Sequence, residues 1–426
     1  MHFSMSAAAI VVAAAFLTAS VNGQPPSWIP PSWRPTSTHI QRPRPTADPT
    51  PTPGDAPPPR AFANFAFSEH QKLFISNGWF GWASNWKGIY NEFHSLDLSV
   101  PWTSDKPAWE KLAYRSTGEG ETAGQFGISK DNMTLYFFDG KVHKYNVKTN
   151  TWDLNIDSVF TRPPKNISDD PALDLHKGKM YPHGDMRSFK ADVATDPETG
   201  VMYGFGESIQ VWDEVYRWRT SPYASIATFD PATNNYTRPY DNDAHRVKLS
   251  DIRSGVVNSL VLSAAAKKLY AFMWEMDDGE SALFEYNILS MKWTQLNTTG
   301  DIPSPRAGLC FAPAYGGTKL ILAGGRSSTA PDDDTNAALN DVYLYDVATS
   351  VWTKMASAPS PHHGGVCAVS GDSFIIWGGY SAYSNNNEVI VANEDGPAIF
   401  NMSSNTWGTT YTPTPVGARS PSFVSQ

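Results

Sequence analysis

Residues 319–352 read "KLILAGGRSSTAPDDDTNAALNDVYLYDVATSVW". The apolar run 320–323 is too short for a helix and stops at the pair Gly324 and Gly325, as a fully buried strand bounded by a turn does. Further on, Tyr345 is followed seven positions later by Trp352, with Asp346, Thr349 and Ser350 between them. Turn-forming residues between two β-rich runs are the chemistry of a hairpin.

The same grammar recurs along the chain. The aromatic-to-Trp spacing appears at Tyr145 and Trp152, Tyr286 and Trp293, and Phe400 and Trp407; Phe229 and Tyr236 form a variant, and Leu96 fits if an insertion separates it from Trp109. Upstream of each lies an apolar run such as "KLFISNG", "TLYFFDG", "VMYGFG", "KLYAFMW" or "SFIIWGG". Successive first-column residues lie 49, 84, 57, 59 and 55 positions apart, the period of a propeller or solenoid. Each unit reads as four antiparallel strands, a to d, so the expected fold is all-β, with the units packed as blades around an axis.

These residues resemble the kelch repeat, whose marks are a glycine pair after a hydrophobic strand and a Tyr and Trp at this spacing. The resemblance covers about 57–412. It is fullest at Gly324, Gly325, Tyr345 and Trp352, and at Gly378, Gly379, Phe400 and Trp407; the fourth unit lacks the glycine pair and the first three keep one glycine of it. It implies a kelch-type β-propeller of six or seven blades. Six complete units favour six four-stranded blades, the alternative being a seventh that is incomplete or closed by the chain terminus.

Composition agrees with a β-rich chain that carries a sizeable core: 41% hydrophobic, 13% aromatic, with 31 Gly and 33 Pro. The net charge of -9 is spread without a basic stripe, so nucleic acid is not an expected partner. Residues 1–23 read as a secretory signal peptide and 24–56, with "PPSWIP" and "PPSWRP", as a Pro-rich disordered linker. The propeller follows over 57–412, and 413–426 is a C-terminal tail or closing strand. No second segment is apolar enough to span a membrane, which leaves a secreted monomer, extracellular or cell-wall associated, as the expectation. Asn132, Asn166, Asn235, Asn297 and Asn401 head glycosylation sequons.

Because strands alternate in direction, the b-to-c and d-to-a connections emerge on one face, and the long segments of this chain are among them. On that face the expected ligand-binding candidates are Trp79, Trp82 and Trp86 in the first b-to-c loop, Trp212 and Trp218 in the third, and Arg253, Arg306 and His363 at the starts of a strands. Flat rings suit stacking on a sugar or a protein hot spot, and a ring of cations would suit an anion. The alternative for the arginines is that they cap their strands and pair with a loop carboxylate. Asp332, Asp333 and Asp334 lack the spaced ligands of a calcium site.

No hydrolase, zinc or phosphate-loop motif is present, and no cofactor or metal is expected. The chain resembles galactose-oxidase-type propellers distantly, and that copper chemistry requires a Cys joined to Tyr. Here Cys310 and Cys367 share a column of adjacent units, which reads as two buried small residues or a disulfide between blades. The expected function is non-catalytic binding of a protein or glycan through the loop-rich face, with a carbohydrate-active oxidase as the alternative.

Overall fold

A computed structural model describes the repeating sheets and their short connections between residues 56 and 414. Breaks fall at 81–87, 116–124, 162–186, 213–217, 238–245, 249–259, 275–280, 328–336 and 384–388, with shorter ones elsewhere. Residues 1–55 and 415–426 lie outside the description, and with them the leader and linker expectations.

Six four-stranded antiparallel blades follow one another in chain order. Blade 1 comprises Asn64–Ser68, Lys72–Ser76, Phe93–Asp97 and Trp109–Leu112; blade 2 comprises Gln125–Ile128, Thr134–Gly140, Val142–Asn146 and Thr151–Asp153. Blade 3 is Ala194–Thr195, Met202–Phe205, Tyr223–Asp230 and Asn235–Thr237, and blade 4 is Val261–Ser263, Lys268–Trp274, Ser281–Asn287 and Lys292–Gln295. Blade 5 is Cys310–Ala314, Lys319–Ala323, Val342–Asp346 and Val351–Met355, and blade 6 is Val366–Ser370, Ser373–Trp377, Ala398–Asn401 and Thr406–Gly408. The a strands neighbour each other in a closed cycle, blade 1 touching both blade 2 and blade 6.

The b strands read as unbroken apolar runs because both of their faces are covered. Along strand b of blade 1, Leu73 and Ile75 pack into the layer shared with blade 6, while Phe74 between them packs into the layer shared with blade 2. The alternation of side chains along a strand thus feeds two seams at once. Every seam carries its own apolar layer, six in all, and the last joins blade 6 to blade 1.

The column residues face each other directly across the c–d hairpins: Tyr145 and Trp152, Phe229 and Tyr236, Tyr286 and Trp293, Tyr345 and Trp352, Phe400 and Trp407. Leu96 and Trp109 do so in blade 1, across the inserted segment. The turn residue that opens the hairpin is an Asx cap: Asp346 Oδ1 accepts from the amides of Ala348 and Thr349, as Asn146 Oδ1 does from Lys148 and Thr149. In blade 4 Met273 and Trp274 replace the glycine pair, and strand b continues through both to pair with Ala282 and Ser281.

Among the described residues, the segment after blade 6 forms a short closing strand. Thr410–Tyr411 pairs antiparallel with Trp102–Thr103, which lies in the insertion of blade 1. Tyr411 is buried, its hydroxyl 2.7 Å from Leu98 O and 2.8 Å from Ser370 Oγ, and its ring stacks on Trp102 at 4.9 Å. This clasp closes the ring.

Candidate functional site: the mouth of the ring at blades 5, 6 and 1

Four residues before strand a, the equivalent positions of blades 1, 5 and 6 hold Arg60, Arg306 and His362, all buried. Arg60 donates to Pro58 O at 3.0 Å, Asn77 O at 2.8 Å and Glu92 Oε2 at 3.1 Å. Arg306 donates to Ser304 O, to Gly324 O at 3.1 Å and to both carboxylate oxygens of Asp341. His362 Nδ1 donates to Gly378 O at 3.0 Å. Each side chain therefore ties the end of strand b, and in the arginine cases the start of strand c, to its own blade. The donors of Arg306 are turned inward on these partners. Burial raises the Asp341 carboxyl, but the bonds and charge of Arg306 outweigh it and hold the group below its usual range.

The next blade leans on the same place. Gly325 donates to His362 O at 2.6 Å, and Gly379 donates to Arg60 O at 2.7 Å. A Cβ on Gly324 would stand 2.4 Å from His362 O and one on Gly378 2.4 Å from Arg60 O, and both glycines have left-handed φ, 66° and 68°. The glycine pair exists because a neighbouring backbone occupies the space of a side chain.

Two residues after the arginine column a second lace runs around the mouth. The amide of Gly364 donates to Gly308 O at 2.8 Å, and that of Phe62 donates to Gly364 O at 2.7 Å. All three have left-handed backbone, with φ of 64° at Gly308, 70° at Gly364 and 52° at Phe62. Blade 1 thus places a phenylalanine where blades 5 and 6 place glycine, and the ring is 37% exposed.

Phe62 meets His363 edge-on at 5.1 Å and Tyr380 at 6.1 Å, and His363 meets Tyr380 at 4.4 Å. His363 is 8% exposed, and its buried Nδ1 has no hydrogen-bond partner among the described residues. Its Cδ2 and Nε2 edge lies over Gly308, whose Cβ would come within 2.0 Å and 2.3 Å of those atoms. Burial, helped by the charge of Arg326, lowers its pKa to about 3, so the imidazole is neutral at ordinary pH.

The remaining candidates fall as follows. The first and third b-to-c segments, expected as loops, carry short hairpins: Trp79–Phe80 pairs with Gly88–Ile89, and Gln210–Trp212 with Trp218–Thr220, the backbones of Trp212 and Trp218 lying opposite each other. A third hairpin, Tyr380–Tyr383 with Val389–Val391, rises from blade 6 on the same face. Trp82, Trp86, Arg253 and Asn166 lie outside the described residues, as do the side chains of Trp79, Trp212 and Trp218. Of the other sequon residues, Asn297 and Asn401 are exposed, while Asn132 and Asn235 are half-buried. Cys310 and Cys367 form a disulfide that joins strands a of blades 5 and 6, with Cα atoms 6.0 Å apart. They do not share a column as expected, for Cys310 pairs with Ala323 and Cys367 with Ile376, an offset of one residue that turns both side chains into the same seam. No group of metal-ligating residues is assembled among the described residues.

Residues 260–424 match the family model of the KLHDC2/KLHL20/DRC7 Kelch-repeats domain. The chain carries kelch repeats over that stretch and folds as a six-bladed β-propeller. The propeller is 34% identical over 107 residues to the Rho GTPase-activating protein gacHH of Dictyostelium discoideum, a stretch that covers 24% of this chain and 7% of that one. It is 26% identical over 125 residues to the human Rab9 effector protein with kelch motifs, covering 28% and 32% of the two chains. The matched stretches therefore span a third or less of these relatives. Among solved structures, that of YjhT superposes with a TM-score of 0.52 at 16% identity, over 83% of this chain and 97% of that one, which is a likeness of fold.

Proposed function

We propose that the propeller is a secreted, non-catalytic binding protein that holds a protein partner on the face bearing the b-to-c hairpins and the mouth of blades 5, 6 and 1. The observation that carries this reading is the division of labour on that face. The buried arginines are turned inward to tie strand ends within their own blades, glycine amides lace one blade to the next, and hairpins of variable length stand on that rigid frame. The human relative is named as an effector of Rab9, which makes it a kelch protein that acts through a protein partner.

The disulfide supports secretion, since such bonds persist in oxidising compartments. It also uses both cysteines of the chain, leaving no thiol for the Cys–Tyr link of a copper-radical oxidase. The test is hydrogen exchange on the secreted protein with and without a partner cross-linked from the extracellular medium. Protection is expected over 79–89, 210–220 and 380–391; protection confined to the a–b and c–d turns of the opposite face rejects the reading. A glycan partner is the second reading, favoured by three tryptophans within 79–86. A glycan array that stays blank for both the native chain and Trp82→Ala removes it.

A further inference from the structure

We infer that Phe62, steadied by His363 and Tyr380, is the anchor of this face, and that it receives an apolar side chain of a partner polypeptide. This rests on the reading of the face as a protein-binding surface and names the point where the partner is gripped.

Two observations lead there. A side chain at left-handed φ is strained, by about 1 kcal/mol, and the equivalent positions of blades 5 and 6 avoid that strain with Gly308 and Gly364. Phe62 accepts it while leaving over a third of its surface in water, so burial within the free chain offsets the strain only in part.

The ring is also held in place. His363 and Tyr380 meet it from blade 6, and Gly364 beneath it has no room for a Cβ, which would approach the ring to 2.8 Å. A fixed, half-exposed aromatic on a rigid frame loses little conformational entropy on binding and is the usual make-up of an interface hot spot.

Among the described residues the ring neighbours of Phe62 are His363, Tyr380 and Gly364, all uncharged at ordinary pH, so the exposed part of the ring is matched by an apolar side chain.

The experiment uses a displayed library of random twelve-residue peptides, selected on the full secreted chain and then measured against variants. Phe62→Gly restores the residue of the neighbouring blades and keeps the fold, which thermal unfolding verifies. Selected peptides are expected to share an apolar residue and to lose about tenfold or more in affinity for Phe62→Gly. Peptides that map to the face by hydrogen exchange yet bind Phe62→Gly equally well overturn the anchor and leave the protein-binding reading intact. A library that yields no binder to the face overturns both. A neutral saccharide panel, run in parallel, that binds in a Phe62-dependent way while peptides do not overturns the polypeptide assignment.

Discussion

The seam between blades 5 and 6 and the seam between blades 6 and 1 use the same backbone device and differ in how they are fastened. In each, the second glycine of a pair donates to the carbonyl ahead of the next a strand, and an apolar layer fills the gap behind it. The first seam joins blades consecutive in the chain and adds the Cys310–Cys367 disulfide. The second joins the ends of the ring, so that Tyr411 bonds to Leu98 across 313 positions, and in place of a covalent link it adds the clasp and the Phe62 bond to Gly364. Closing so long a loop costs entropy that no local contact returns. The non-covalent seam is therefore where the ring opens first, and it is the seam that carries the proposed anchor.

The largest effect is expected at the glycine pairs. Gly378→Ala and Gly324→Ala each force a Cβ to within 2.4 Å of a neighbouring backbone oxygen while imposing a left-handed φ on alanine. Each should lose about 4 kcal/mol or more of stability in chemical denaturation. If the comparison holds, Gly378→Ala also exposes the seam of blades 6 and 1 to hydrogen exchange, whereas Gly324→Ala keeps its seam shut until the disulfide is reduced. Equal opening in both, with the disulfide intact, would break the comparison.

Removing the staple comes next. The bridged cysteines are 57 positions apart, and a loop of that length is worth about 4 kcal/mol in chain entropy. Cys310→Ser with Cys367→Ser should lower the unfolding midpoint accordingly and make the two seams open together. A double variant as stable as the native protein would show that the bond contributes nothing to the ring.

Much of this frame was legible beforehand, because the repeat is written in local chemistry. Tyr345 and Trp352 announce a hairpin through their spacing and turn residues, and the six column pairs do meet in register, the interrupted pair of Leu96 and Trp109 included. The closing strand was harder. Thr410–Tyr411 pairs with an insertion, and nothing in either short segment marks the other. At the candidate site, Arg306 was visible at the start of a strand, although its counterpart in blade 6 is His362 and not His363. Whether a guanidinium faces a ligand or its own blade depends on Asp341, 35 residues away. Phe62 was the available and unread signal, for "RAFAN" set under "RAGLC" and "HHGGV" puts a phenylalanine on two glycines. The tryptophan hairpins were placed on the right face as segments, since strand alternation decides the face, while their ladders depend on pairings that the sequence there leaves unmarked.

A change of pH should weaken the 5–6 seam next in order. His362 and His363 are held neutral, their pKa values lowered from 6.5 to about 4 and about 3, in both cases chiefly by burial. In the unfolded chain both take up a proton near 6.5, so the unfolded state binds more protons as the pH falls. Their contribution is intact above about pH 7, is lost progressively below 6.5, and stops changing below the folded values. At about pH 5.5 the two together cost about 3 kcal/mol as an upper figure. His94 in blade 1, also lowered to about 3, acts in the same direction. The urea midpoint should fall between pH 7.5 and 5.5, and His362→Gln with His363→Phe should flatten the dependence; a native midpoint that stays constant over that range contradicts burial of neutral imidazoles.

The smallest expected effect tests the clasp. Tyr411→Phe keeps the ring that stacks on Trp102 and the strand pairing of Thr410–Tyr411, and removes only the hydroxyl between Leu98 O and Ser370 Oγ. One hydroxyl has one proton, which goes to the carbonyl, while the Ser370 hydroxyl supplies the second bond. Its loss leaves the buried carbonyl of Leu98 without this donor, a cost of about 1–2 kcal/mol. The size of the change matters less than its place. Because the seam of blades 6 and 1 has no covalent link, this small loss should appear as faster exchange at Phe62, Leu98 and Ser104, whose amides bond to Gly364, Gln71 and Thr409 around the closure, with the 5–6 seam unchanged. Acceleration spread evenly over both seams would mean that the ring opens as a unit and that its closure has no weaker side.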